Sequence, residues 1–303
     1  MTFEDAASYF SSRLNEGEIS KSTGLAAIET LMRCIENSEA TTVNELMDEL
    51  KKVIAAMSST DYSSTSVRSA SELFLRFISL ATAEQNVQKF SDLIDMYKDR
   101  GIFFINRIAK SRALIASYAR PFIENNMNIL THSYSNVVLT ALFNAKREGA
   151  NIHVYVTESQ PDASGKKMLK RLKKEGIRCT LILDAAVGYI MESIDMVLIG
   201  AEGVMETGGV INKIGTLSIA TCASAMNKKV YVMAESIKFV KEYPLNQGDI
   251  PAEFKVFTSD DSDFTEEHPR VDYTPPQYIN LLFTDLGILT PAAVGDELIK
   301  LYT

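Results

Sequence analysis

The sequence predicts an α/β protein in which a bundle of α-helices precedes a parallel β-sheet. In residues 1 to about 118, apolar side chains recur every three or four positions, which is the spacing of one helical face, and no run has the period of two that marks a strand. After Pro121, short apolar runs alternate with helical segments, an order typical of parallel strands joined by helices. We therefore expect two domains, 1–120 and 121–303.

Local signals support the helical bundle. Thr42 and Glu45 begin an amphipathic run, where the hydroxyl and the carboxylate can satisfy backbone N–H groups as a capping box. A Ser/Thr-rich link at 58–66 ends that run, and Gly101 is a possible break in the long helical segment Val87–Tyr118. These signals indicate packed helices joined by short loops.

Six apolar runs in the second domain are predicted to be β-strands. They are Asn128–His132, Ile152–Thr157, Cys179–Asp184, Met196–Gly200, Val230–Ala234 and Tyr278–Asp285. Because helical segments separate these runs, the strands should lie in a parallel sheet covered on both faces. Thr290 and Pro291 fit the N-cap and first position of a last helix.

Composition excludes several classes of protein. No apolar run reaches the roughly 18 residues that a membrane span needs. The net charge of −8 gives no support to nucleic-acid binding by the chain as a whole, although it leaves a local basic patch open. Cys34, Cys179 and Cys222 are widely spaced, which argues against a metal motif or a disulfide framework. We expect a cytosolic protein with no metal, no cofactor, no membrane partner and no direct nucleic-acid partner.

The segment Gly200–Thr216 is the first candidate for a binding site. It follows the buried run Met196–Ile199 and ends at a helix start, and Gly203, Gly208 and Gly209 allow close backbone approach. A strand, a Gly-rich loop and a helix N-terminus form the usual geometry of an anion site. A tight connection without a ligand fits the pattern equally well.

Polar residues also follow the predicted strands. They are His132, Ser133, Tyr134, Ser135, Glu158, Ser159, Asp184, Glu202, Glu235 and Ser236. Each one alone is commonly a helix N-cap. Together they suggest a pocket, because ligands of parallel sheets bind beyond the carboxyl ends of the strands.

A second candidate surface lies on the last helix of the bundle. Arg107, Lys110, Arg112 and Arg120 fall on or near that helix. Such a face could meet an acidic or phosphorylated partner. A solvated basic face without a partner fits the same spacing.

Several long segments resemble, in the correct order, the regulatory subunits of translation initiation factor 2B, the guanine-nucleotide exchange factor for initiation factor 2. The segments are Glu72–Ala81, Tyr155–Pro161, Leu183–Met191, Gly200–Val204, Ile211–Thr216, Phe283–Gly287 and Leu289–Tyr302. The resemblance spans nearly the whole chain. It is greatest to alpha-type subunits, which lack a long N-terminal extension. It implies that the second domain is Rossmann-like.

The same resemblance bears on catalysis. The family shares its fold with sugar-phosphate isomerases that act on methylthioribose-1-phosphate or ribose-1,5-bisphosphate with a cysteine and an aspartate. Their cysteine corresponds to Ser133, their aspartate to Gly209 and a phosphate-binding arginine to Gln160. A serine without a base transfers protons far less readily than a thiol, and glycine has no side chain. We therefore expect no catalytic residue and no enzymatic activity.

A remnant of the isomerase pocket is nevertheless implied. Its expected residues are Ser133, Tyr134, Asp184, Glu202, Asn212, Lys213 and Thr216. Such a pocket could still bind a sugar phosphate or a nucleotide without converting it.

The resemblance also implies partners. The chain would be a non-catalytic regulatory subunit whose C-terminal domains form a homodimer. That dimer would bridge two tetramers of beta, gamma, delta and epsilon subunits into a decamer. The helical domain, through Arg107, Lys110 and Arg112, would help to sense the phosphorylated alpha subunit of initiation factor 2 in stress control of translation. The alternative is a sugar-phosphate isomerase or a sugar-phosphate-sensing pseudoenzyme.

Overall fold

The computed structural model describes residues 3–14, 22–60, 64–84, 89–251, 254 and 269–302. The chain divides into two compact units, residues 1–110 with 301–303 and residues 111–300. The division falls within a long helix, earlier than the boundary expected after residue 120. Within the described ranges, no helix is both long and apolar enough to cross a bilayer.

Helices form the first unit, as the sequence predicts. They are α1 (Phe3–Leu14), α2 (Thr23–Glu36), α3 (Val43–Ser58), α4 (Ser64–Glu84) and α5 (Phe90–Ala119), the last of which continues into the second unit. The capping box of α3 is present: the Glu45 N–H donates to the Thr42 hydroxyl at 3.3 Å, and the Thr42 N–H donates to the Glu45 carboxylate at 3.2 Å. Residues 61–63 of the expected link, and Val87, lie outside the described residues.

Gly101 does not break the long helix, so that expectation is wrong. Helix α5 runs without interruption from Phe90 to Ala119. A Cβ atom on Gly101 would lie 1.9 Å from the sulfur of Met32. The glycine therefore lets α5 approach α2 closely, and this packing outweighs the roughly 1 kcal/mol by which glycine disfavours a helix.

The second unit is built on a seven-stranded sheet in the order β11-β10-β7-β4-β1-β2-β3. Its strands are β1 (Asn128–Thr131), β2 (His153–Thr157), β3 (Arg178–Ile182), β4 (Met196–Gly200), β7 (Lys229–Met233), β10 (Leu281–Thr284) and β11 (Gly287–Leu289). All pairs are parallel except β10 with β11. The six predicted strands are therefore confirmed. At the ends of the predicted runs, Asp184 and Tyr278 belong instead to 3-10 turns, after β3 and before β10.

Helices connect these strands. They are α6 (Asn136–Arg147), α7 (Ser164–Lys174), α8 (Val187–Ile190), α9 (Thr216–Ala225) and α10 (Val294–Tyr302). The core of the unit is formed by fully buried residues of the central strands and of α6, among them Ile129, Val154, Leu198 and Leu142. Strands whose side chains are buried on both faces are expected where helices cover both faces of a sheet.

A second, four-stranded sheet was not predicted. Its order is β8-β5-β6-β9, with β5 (Gly203–Met205), β6 (Val210–Lys213), β8 (Phe239–Val240) and β9 (Val271–Thr274). The interpretation of Gly200–Thr216 as a loop is therefore wrong, because most of that segment is an antiparallel hairpin of β5 and β6. Met205 and Ile211 drive this pairing by burying their side chains in a small separate core.

Candidate functional site

The predicted pocket residues lie around the carboxyl ends of the parallel strands and the neighbouring hairpin. We call them the strand-end cluster, which consists of Ser133, Tyr134, Asp184, Glu202, Asn212, Lys213 and Thr216. Ser133 and Tyr134 follow β1, Asp184 follows β3 and Glu202 follows β4. Their assignment to a ligand pocket stays a prediction, and their contacts show what each side chain does in the folded chain.

Lys213 is the cationic centre of the strand-end cluster. Its ammonium nitrogen lies 3.2 Å from a carboxylate oxygen of Asp162 and 3.7 Å from one of Glu202. Burial acts to raise the pKa of Asp162, but hydrogen bonds from Ser164 and the charge of Lys213 outweigh it and hold that pKa below its usual range. Asp162 was missed by sequence reasoning, although it lies next to the strand-end residues that follow β2.

Ser133 is buried, and neither histidine of the described residues contacts its hydroxyl. Its hydroxyl lies 2.8 Å from the hydroxyl of Ser164. His132 Nε2 lies 2.9 Å from the carbonyl oxygen of Ile214, so this nitrogen carries the proton, and Nδ1 accepts from the Thr157 hydroxyl at 2.6 Å. Burial also lowers the pKa of His132. Both ring nitrogens are therefore engaged, and His132 positions the chain rather than acting as a base.

Asp184 fixes a loop. Its two carboxylate oxygens accept hydrogen bonds from the backbone N–H groups of Ser159 and Gln160, each at 2.8 Å. Ser159 adopts a left-handed conformation with φ of 57°. The carboxylate therefore stabilises the loop between β2 and α7, at the point where the resemblance places a phosphate-binding arginine in the isomerases.

Asn212 and Thr216 form a short internal chain of hydrogen bonds. The Asn212 amide donates to the Thr216 hydroxyl at 3.1 Å, and that hydroxyl donates to the carbonyl oxygen of Lys213 at 2.6 Å. These hydrogen bonds shape the turn between β6 and α9, which begins directly after Lys213.

The anion position at the start of α9 is filled by the chain itself. A carboxylate oxygen of Asp272, in β9, accepts from the N–H groups of Gly215 at 2.8 Å and Leu217 at 3.1 Å. The expected anion site at this helix N-terminus is therefore occupied by a side chain. Burial raises the pKa of Asp272 to about 7, although the backbone hydrogen bonds act to lower it.

The space beside Gly209 is filled by an aromatic ring. A Cβ atom on Gly209 would lie 2.5 Å from the ring and the hydroxyl oxygen of Tyr273. That hydroxyl also lies 2.9 Å from the hydroxyl of Thr207. An aspartate at position 209 would therefore collide with a tyrosine that is itself held in place.

Tyr134 is half-buried among cations. The ammonium group of Lys167 lies 4.3 Å from its ring centroid, a cation–π contact. Burial raises the pKa of the Tyr134 hydroxyl, while the charges of Arg171 and Arg112 act to lower it. Lys167 and Arg171 therefore place positive charge near Tyr134, whereas Lys213 is already paired with Asp162 and Glu202.

The basic helical face is smaller than the sequence suggests. The Arg112 guanidinium lies 3.4 Å from a carboxylate oxygen of Glu235, which also accepts from the Ser111 hydroxyl at 3.3 Å. Arg112 is therefore part of a mostly buried ion pair within the second unit. Arg107 and Lys110 are exposed, and their role in partner binding stays a prediction.

Two large apolar side chains are exposed after β3. Leu183 is 62% exposed and Tyr189, in α8, is 90% exposed. Sequence reasoning missed this surface, because exposure is a property of the folded chain. Large exposed apolar side chains of this kind make the segment a candidate for a surface that another protein covers.

The chain is similar over its whole length to proteins of one family. The profile of the Initiation factor 2 subunit family (IF-2B) matches residues 17–291. A Caenorhabditis elegans protein named translation initiation factor eIF2B subunit alpha is 53% identical over 100% of both chains. A ribose 1,5-bisphosphate isomerase of Thermococcus kodakarensis is 29% identical over 93% of this chain and 88% of its own.

A solved structure shares the fold. A chain of the tetrameric eIF2B-beta2-delta2 complex from C. thermophilum superposes with a TM-score of 0.76 and 20% identity, over 100% of this chain and 96% of its own. At that identity the likeness concerns the fold alone.

Asp272 makes a testable contribution to stability. Its pKa of about 7 in the folded chain lies above the ordinary value of 3.8. The folded chain therefore retains a proton that the unfolded chain releases, and the free energy of unfolding should fall as pH rises between about 4 and 7. We expect Asp272→Asn to remove a slope on the order of 1 kcal/mol per pH unit. Urea unfolding at several pH values measures both slopes, and equal slopes would contradict the assignment.

Proposed function

Because the chain belongs to the Initiation factor 2 subunit family, we propose that it is an alpha-type regulatory subunit of the initiation factor 2B complex, which exchanges GDP for GTP on initiation factor 2. The observation that carries this proposal is the 53% identity to a protein named as that subunit, over 100% of both chains. The role places the chain in the cytosol, with initiation factor 2 and the beta, gamma, delta and epsilon subunits as partners.

The chain is not an enzyme in this role. The relative at 53% identity is named as a subunit, whereas the isomerase relative is only 29% identical. The contacts of the strand-end cluster agree with a loss of catalysis. Ser133 has no base at His132, and the side chain of Tyr273 fills the space beside Gly209.

We further propose that the chain forms a homodimer through the surface around Leu183 and Tyr189, and that this dimer bridges two tetramers into a decamer. A twofold interface uses the same patch on both subunits, so one apolar patch suffices to form it. The exposure of these two side chains, 62% and 90%, supports the choice of surface.

The homodimer is tested by native mass spectrometry of the isolated chain. We expect the wild type to be dimeric and the double variant Leu183→Glu with Tyr189→Glu to be monomeric, because four buried carboxylates would face one another across the twofold axis. The control is Leu245→Glu, which changes an equally exposed leucine elsewhere in the same unit and should leave the dimer intact. A dimeric double variant would refute this surface.

The subunit role itself is tested by affinity purification of the tagged chain from its own cells. Co-purification with four other subunits at twofold stoichiometry is the expected result. A free homodimer without partners would refute the subunit role and favour the second candidate function below.

The stress-sensing role is assigned to the helical unit. Arg107 and Lys110 are exposed on α5 and can attract a phosphorylated partner. We expect Arg107→Glu with Lys110→Glu to weaken inhibition of nucleotide exchange by phosphorylated initiation factor 2 at least about tenfold, since the loss of two surface attractions of about 0.5–1 kcal/mol each already amounts to about 1–2 kcal/mol. Basal exchange should stay unchanged. Lys51→Glu with Lys52→Glu, on α3, is the matched control, and an equal effect of both pairs would remove Arg107 and Lys110 from the role.

The second candidate function is binding of a sugar phosphate at the strand-end cluster without turnover. The positive charges of Lys213, Lys167 and Arg171 favour it, as does the isomerase relative, and a bound phosphate would compete with Asp162 and Glu202 for Lys213. We expect calorimetry to detect a sugar phosphate with a dissociation constant on the order of millimolar or lower. Lys213→Ala should weaken that binding at least about tenfold, since a hydrogen bond to a charged group contributes about 1.5–3 kcal/mol. Lys229→Ala, at an exposed lysine at the far end of a strand, is the control. No binding of any sugar phosphate by the wild type would retire this function.

A further inference from the structure

Helix α7 carries an unusual concentration of positive charge. Six of its 11 residues are lysine or arginine, and none is acidic, in a chain whose net charge is −8. Lys166, Lys170 and Lys173 follow one another at four and three positions, so they lie on one face of the helix. All three are exposed. We call them the α7 basic face.

The requirements of the helix itself account for the cations of its last turn, Arg171, Lys173 and Lys174, but not for those of its first turn. Cations stabilise the last turn of a helix but are unfavourable in the first turn, where Lys166 and Lys167 lie. Lys166 with Lys170, and Lys167 with Arg171, are also like-charge pairs four residues apart, which destabilise a helix. Among the described residues, no carboxylate pairs with Lys166, Lys170 or Lys173 within 4.0 Å. The face therefore repels itself in the free protein.

Further cations extend the α7 basic face along one side of the sheet. Helix α7 packs against α6 and leads into β3, which is an edge strand. Helix α6 joins β1 to β2 and α7 joins β2 to β3, and because these strands are parallel, both helices run opposite to them. The C-terminal ends of both helices therefore lie at the end of the sheet where the strands begin. The exposed cations Lys146 and Arg147 end α6, and Arg178 begins β3.

The chemistry of the face identifies the class of partner. Met168 and Leu172, the apolar residues of α7, are buried against the sheet, and Leu169 is half-buried. The face thus lacks the apolar centre of a protein interface and the apolar side chains that insert into a membrane. It has no aromatic ring on which bases could stack. Lysine supplies mobile point charges that suit phosphate groups without fixing a geometry.

From this combination we propose that the α7 basic face binds the sugar–phosphate backbone of RNA, independently of base sequence. Contacts from lysine to phosphate position a nucleic acid without reading it. RNA is the nucleic acid that a member of a translation-factor family meets. Lys166, Lys170 and Lys173 belong neither to the strand-end cluster nor to the surface around Leu183 and Tyr189, so this proposal goes beyond the proposed function.

The proposal is tested by fluorescence anisotropy with the full chain, using a short labelled RNA strand of mixed sequence and a duplex of the same sequence. We expect both to bind at about 50 mM salt and to lose most of their affinity at about 200 mM. The triple variant Lys166→Glu, Lys170→Glu, Lys173→Glu should bind at least about tenfold more weakly. For the single strand, the slope of log affinity against log salt should be shallower by about 2 in this variant, since each of the three lost phosphate contacts contributes about 0.7.

A matched control separates the face from overall charge. Lys52→Glu, Lys89→Glu and Lys229→Glu make the same change of charge at three exposed lysines elsewhere, and this variant should bind RNA as the wild type does. Circular dichroism establishes that both triple variants are folded. Equal losses in the two variants, or no RNA binding by the wild type, would overturn the proposal. Preferential binding of a polyglutamate peptide over RNA would also overturn it, and would assign the face to an acidic protein.

Discussion

The hydrogen bonds that Asp272 accepts at the start of α9 are the contact on which the strand-end cluster depends. Asp272 belongs to the four-stranded sheet, whereas α9 packs against β7 of the seven-stranded sheet. The carboxylate therefore joins the two sheets. The turn before α9 is held by two further hydrogen bonds, both made by the backbone of Ile214. Its carbonyl oxygen accepts from His132, and its N–H donates to the carbonyl oxygen of Arg270 at 2.9 Å. Lys213 immediately precedes this turn, so these contacts fix the position of its backbone, from which the side chain extends.

The charges of the cluster are balanced within the chain. Lys213 lies between Asp162 and Glu202, and the carboxylate of Asp184 is satisfied by two backbone N–H groups. An anionic ligand would have to compete with Asp162 and Glu202 for the same ammonium group. Part of its attraction to Lys213 would be offset by the loss of those ion pairs. A site of this kind favours weak, reversible binding over the tight hold that a catalytic phosphate site needs.

The local sequence pattern was sufficient to predict the seven-stranded sheet but not the four-stranded sheet. Strand β4, for example, is a continuous apolar run, which can be recognised without knowledge of its neighbours. Strands β5 and β6 have three and four residues, and β6 pairs with β9, where Val210 lies opposite Thr274. No local period reveals such a pairing. The resemblance to a known family supplied the order of the segments, but it did not supply these contacts.

Single side chains were hardest to place for the same reason. Asp272 lies 57 residues from Gly215, and its role depends on a contact between two sheets. Arg112 has the sequence context of an exposed helical cation, yet its partner is Glu235, at the end of a distant strand. Helical spacing alone cannot separate a buried ion pair from a solvated charge. Exposure of Tyr189 likewise becomes visible only when the sheet is complete.

The contacts around Gly209 and Ser133 explain why a single substitution at either position would not be enough to create a catalytic site. An aspartate at position 209 would need the ring of Tyr273 to move, and that movement would break its hydrogen bond to Thr207. A cysteine at position 133 would find His132 already bonded through both ring nitrogens. At both positions the residue present is thus held by neighbouring contacts, so a substitution there would require a neighbour to change with it.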